Sequence, residues 1–76
     1  MSHSLTLYRI DPAKSMQRFY RLDIQSDIFG NLCVIREWGR IGRPGQVRSV
    51  PYPTGDDAQC ALHKQRETKE RRGYAA

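Results

Sequence analysis

No run of apolar residues in this sequence approaches the ~20 needed to cross a bilayer as a helix, which excludes a helical membrane span. The start, MSHSLTLYRI, lacks the charged segment and apolar core of a secretory signal, so a cytoplasmic protein is expected. Cysteine is scarce. Cys33 and Cys60 are the two present, with no Cys-x-x-Cys pair, which excludes a disulfide-stapled scaffold. Both fall inside apolar patterns and read as reduced, buried or half-buried thiols. Cys60 and His63 stand three apart on a helical stretch, but Cys33 and His3 would have to reach them from two strands. No metal and no other cofactor is expected. Two histidines far apart, with no His-Glu-x-x-His and no Walker A pattern, leave the common hydrolytic chemistries without their machinery. The chain reads as a binding protein and not an enzyme.

Room is short as well. At 76 residues the chain is one domain, 1–76. A domain of this size buries only about 60% of its unfolded surface, too little to build a deep active-site cavity. Lysine is rare among its cations: ten of the thirteen are arginine, against eight acids, for a net charge of +5. The pI is about 9.7. Solubility needs no such bias. The planar guanidinium fork suits phosphate and carboxylate and stacks on rings, so a polyanion is the natural partner.

The elements follow from pattern. His3–Ile10 is rich in strand formers. Asp11–Met16 carries Asp-Pro and reads as a loop. Over Gln17–Asp27, Tyr20, Leu22 and Ile24 fall on one face while Phe19, Arg21 and Asp23 fall on the other. Gly30-Asn31 marks a turn. Leu32–Trp38 is the strongest strand, and its apolar side chains point both ways, which predicts a central strand covered at least partly on both sides. Val47–Pro53 is a short strand that Pro51 and Pro53 confine to an edge. Thr54 is a helix cap, Asp56 and Asp57 favour the first turn, and the helix runs Asp56–Arg72 to a Gly73 cap. Its apolar face, Ala58, Ala61 and Leu62, is thin. Its cations Lys64, Arg66, Lys69, Arg71 and Arg72, offset by Glu67 and Glu70, read first as a solvated face and alternatively as a flank that touches backbone phosphates. The predicted fold class is α+β: a small antiparallel sheet of about four strands with one C-terminal helix packed on one face.

One stretch reads two ways, either as a core tryptophan followed by a surface hairpin or as an exposed ring on a binding loop. REWGRIGRPGQ, Arg36–Gln46, holds the only tryptophan and three of the six glycines. Its glycines, spaced Gly-x-x-Gly-x-x-Gly, fit neither a dinucleotide fingerprint nor a P-loop. The Gly-x-x-Gly of a KH domain lies between helices, whereas a strand precedes this one. An exposed Trp38 beside Gly39, with Arg36, Arg40, Arg43 and Arg48 around it, offers a stacking ring with phosphate clamps. Trp and Arg are also hot-spot residues of protein interfaces, so an acidic protein partner remains the alternative.

Glu37–Gln46 resembles the signature of the WGR domain, named for the triplet found here at Trp38, Gly39 and Arg40. The resemblance covers nearly the whole chain and includes the closing ETKERRGY. In the family's best-understood members, poly(ADP-ribose) polymerases that detect DNA breaks, the module helps to bind the broken end. The resemblance implies a nucleic-acid-binding module, DNA favoured over RNA, taking ends or nicks. It makes Trp38 the ring packed on an end nucleotide and Arg40 the clamp. Gly39 would let the backbone come close. No polymerase domain is present, so ADP-ribosylation is not implied. Gln65 stands where the family has an apolar residue, which predicts a lighter core.

Overall fold

The computed structural model of the chain describes residues 4–76. Expectations placed on His3 lie outside the described residues. Four strands follow in order: β1 (Leu5–Asp11), β2 (Met16–Ser26), β3 (Leu32–Arg40) and β4 (Gln46–Tyr52). Each pairs antiparallel with the next, giving a meander of order β1-β2-β3-β4. One helix, α1 (Gly55–Arg71), lies across one face. This is the α+β class expected from sequence.

Local chemistry sets the boundaries. Asp11 caps a single 3₁₀ turn, Pro12–Lys14, by accepting from the Ala13 amide at 3.1 Å. Asp27 organises the β2–β3 turn, accepting from the amides of Phe29 and Asn31, each at 2.9 Å. Desolvation raises the proton affinity of this carboxyl, but the hydrogen bonds from Asn31 and Phe29 outweigh it and hold the group below the ordinary aspartate value. The Thr54 hydroxyl accepts from the Asp57 amide at 3.2 Å and starts α1. At its end Gly73 takes φ +96°, and the amides of Gly73 and Tyr74 bond the carbonyls of Glu70 and Lys69. That is the Schellman arrangement, which needs a left-handed residue where Gly73 stands. The chain then turns back, and Ala75 exchanges two backbone bonds with Tyr8 of β1. The bridge covers part of an edge that would otherwise invite pairing.

The register sorts the two faces. Tyr20, Leu22, Ile24 and Val34 point toward α1 and meet Ala58 and Leu62, and Leu7 is buried on the same face of the sheet. Leu7 and Leu22 are fully buried, each contributing about 1.5–3 kcal/mol. Ala58 and Ala61 let the helix settle closely on the sheet. Gln65, at the edge of this core, accepts through its Oε1 from the Tyr20 hydroxyl at 3.2 Å.

One expectation needs refinement and one needs correction. β3 is covered by α1 on one face and only partly on the other, open face: there Cys33 is buried and Ile35 and Glu37 are half-buried, while the neighbouring Tyr8, Ile10 and Val47 are exposed. Among the described residues there is one α-helix, and its small apolar side chains commit it to the opposite side. Cys60 is exposed, while Cys33 is buried on the open-face side of the sheet. The inward line of α1 runs through Ala58, Ala61 and Leu62, and Cys60 is turned off it toward solvent. Both thiols are free.

Candidate nucleic-acid interface

Antiparallel register sets the side chains of the helix-bearing face in cross-strand rows. Arg9 stands opposite Arg18, and Arg18 opposite Arg40. The next row is Leu7, Tyr20, Trp38 and Gln46. The one after it is Leu5, Leu22, Arg36 and Arg48. An aromatic row thus lies between two rows of arginine. The ion pairs among the described residues are Arg21–Glu37 and Arg66–Glu70, so none of the five row arginines has an acid partner there. Like charges directly opposite one another cost stability. A fold selected for stability alone would not repeat that arrangement on either side of its tryptophan.

Trp38 is half-buried, not exposed as expected. It packs on the edge of the core with its ring stacked on Tyr20, centroids 6.2 Å apart and planes 26° apart. Tyr20 is held in turn. Its hydroxyl bonds Gln65, Tyr74 meets it edge-on at 6.2 Å, and the Lys69 ammonium lies 4.6 Å from its ring centre. Burial pushes the Tyr20 phenol up, and the neighbouring Arg36 guanidinium partly offsets this. One side of the indole is therefore fixed by protein and the remainder meets solvent. A ring already ordered loses little freedom when a ligand stacks on it.

Two open hollows flank it. One, of about 340 Å³, is lined by Lys14, Arg18, Arg40, Tyr74 and Trp38. The other, of about 350 Å³, is lined by Arg36, Lys69, Arg72, Gln65 and Trp38. Trp38 lines both and stands between them. Desolvation pulls the Lys69 ammonium below the ordinary lysine value, with Arg72 and Arg36 adding to the effect. The second hollow is thus a place where positive charge is crowded, and a bound anion would relieve it.

The triplet lies in strand β3 and not in the loop after it. β3 runs through Arg40, and only residues 41–45 form the turn. The Phe19 ring holds this arrangement together, standing opposite Gly39 on the open face. A Cβ on Gly39 would lie 2.9 Å from the Gly45 Cα; one on Gly45 would lie 2.5 Å from the Trp38 carbonyl oxygen and 2.9 Å from the Phe19 ring. The two glycines let the β3–β4 hairpin close tightly, and the strand pairing extends to the tryptophan as a result.

Of the six residues singled out from sequence, Trp38, Arg40, Arg36 and Arg48 share the helix-bearing face, in adjacent rows. Gly39 lines the first hollow through its backbone. Arg43 sits on the exposed turn and lines neither hollow. Sequence reading missed Arg9, Arg18, Lys14, Tyr20 and Tyr74. It favoured a solvated face for the helix cations over a flank touching phosphates. Arg66 does pair with Glu70 on the surface, but Lys69 and Arg72 turn into the second hollow. The missing signal was register: placing the turns at Pro12–Ser15 and Asp27–Asn31 aligns Arg9, Arg18 and Arg40.

A trade-off follows. Arg18 faces a like charge on both sides, so Arg18→Gln is expected to stabilise the domain, by about 0.2–1 kcal/mol in urea denaturation. The same change should weaken polyanion binding. A destabilised variant would show that the row is held by something other than tolerance of repulsion.

The WGR domain matches residues 3–76. A protein of Sinorhizobium fredii (strain NBRC 101917 / NGR234), described as uncharacterized protein y4dW, is 35% identical over 72 residues. The match takes in 95% of this chain and 35% of the relative, so the chain spans about a third of that protein's length. No solved structure matches. No helix among the described residues is long and apolar enough to cross a membrane. WGR domains are in general nucleic-acid-binding modules. With nearly its full length matched, the chain belongs to the WGR domain family.

Proposed function

We propose that this domain binds DNA, preferring an end or a nick, and does no chemistry on it. The observation that carries this reading is the half-buried indole of Trp38, fixed on one side and set between two rows of arginines that have no acid partner among the described residues. Ends and nicks supply what such a surface takes: a nucleotide freed from the duplex stack with phosphates close to its sugar. Trp38 takes the ring or sugar. Arg40, with Arg18 beside it, clamps a phosphate on one side, and Arg36 and Arg48 do so on the other. Gly39 keeps the backbone next to the ring bare. Arg43, at the turn, adds a contact farther along the backbone. These groups read no base edge, so binding is insensitive to sequence.

The test is a titration of the isolated chain with blunt, nicked and single-stranded DNA and with matched RNA, followed by amide NMR. Shifts are expected to concentrate at Trp38–Arg48. Trp38→Ala should weaken binding about tenfold, the scale of one base–aromatic stack, while the circular dichroism spectrum stays native. Arg40→Ala should weaken it as well. Normal binding by both variants would put the site elsewhere, and shifts on the open face would favour a protein partner.

A further inference from the structure

A third hollow, of about 370 Å³, lies between α1 and strands β3 and β4. It opens from the second through shared walls, since Arg36 and Gln65 line both. Its floor is apolar, Val34 and Val50, and Tyr52 lines it together with Lys64 of the helix. Arg48 stands opposite Arg36 at the near end, and Asp57 lines the far end. Ring and cation are paired here as they are around Trp38, in this case over an apolar floor. The two ring rows, Trp38–Gln46 and Leu32–Tyr52, stand six residues apart along β3, about 20 Å at the rise of a strand. No single nucleotide reaches both.

We propose that this groove is a second nucleotide subsite, and that the domain holds a single strand leading away from Trp38, past Arg36 and Arg48, to Tyr52. This rests on the reading of Trp38 as a nucleotide platform. Stacked at ~3.4 Å per step, a strand covers the distance in about six steps, or about seven nucleotides, and fewer when its bases are splayed. Arg36 and Arg48 take backbone phosphates midway. Lys64 takes one at the second ring, and a base stacks on Tyr52 over the apolar floor. Asp57 repels phosphate and ends the track. The face taken up is the one beside the helix, so the strand lies along α1 and not across the open side of the sheet.

Trp38 is the only tryptophan, so its emission reports the first subsite alone. The wild-type chain is titrated with thymidine 5′-monophosphate, octathymidylate and polyglutamate of matched charge. Octathymidylate is expected to bind at least about tenfold tighter than the mononucleotide, the contribution of one further stack. Lys64→Gln, on an exposed helix position, should remove about threefold of that gain, the scale of one surface charge contact. Tyr52→Leu, which keeps the packing apolar, should remove most of it. Both variants should bind the mononucleotide as the wild type does. If octathymidylate binds both variants as it binds wild type while the mononucleotide still quenches Trp38, the second subsite is wrong and the first stands. If no oligonucleotide changes the emission or is bound at all, both readings fall. Equal affinity for polyglutamate would overturn the proposal in favour of an acidic protein.

Discussion

Replacing Gly45 by alanine is expected to destabilise the domain by about 3 kcal/mol, the upper end of what forcing an extra carbon into a closed space usually costs. The reason is the contact the new Cβ would make, 2.5 Å from the Trp38 carbonyl oxygen and 2.9 Å from the Phe19 ring. The ring can swing, but the carbonyl belongs to the β3 backbone and cannot move without parting the hairpin. The whole stability of a 76-residue domain is about 4–11 kcal/mol, so the loss is a large fraction of it. Urea denaturation of Gly45→Ala beside Gly42→Ala checks the mechanism. Gly42 has φ +85° and open space around it, so its alanine variant carries only the left-handed penalty of about 1–2 kcal/mol. Adding Phe19→Leu to Gly45→Ala should rescue little, because the shorter contact is with backbone. Full rescue by Phe19→Leu would show that the glycine serves the aromatic ring and not the closing of the strands.

How legible all this was in the sequence differs between fold and site. Strands and helix could be read because each carries its own local signal: alternation around Tyr20, Leu22 and Ile24, the Thr54 cap, the Gly73 stop. The Asp27 and Gly30 turn was equally local. Trp38 was harder. Its neighbours in sequence, glycine and arginine, suggest an open loop, but its neighbours in space are Tyr20 and the core edge, and these half-bury it. The arginine rows were hidden for the same reason. Arg9, Arg18 and Arg40 are far apart along the chain and meet only through two successive registers. Lys69 and Arg72 were lost to a different ambiguity. On a helix with so thin an apolar face, the charge pattern does not say which cations turn back toward the sheet. That one helix covers one face was legible; how far the other face is covered was not, because a two-sided apolar strand usually signals two covering layers, and among the described residues one helix supplies one of them.

The affinity for a short single-stranded oligonucleotide is expected to fall about 100-fold between 50 and 200 mM monovalent salt, the consequence of about five released counterions at a slope near −0.7 each. Five is the number of arginines in the two rows, none with an acid partner among the described residues. A binding isotherm measured at four salt concentrations gives the slope directly. The variants then divide the contributions. Arg40→Ala removes one charge and should flatten the slope by about 0.7. Trp38→Ala removes an uncharged stack, so it should lower affinity equally at every salt concentration and leave the slope intact. That pairing separates the two parts of the site, which a single affinity does not. It also separates partners. A protein interface centred on a tryptophan draws mainly on apolar burial, which rising salt leaves almost untouched. A nearly flat slope in wild type, with affinity still lost in Trp38→Ala, would assign the surface to a protein instead.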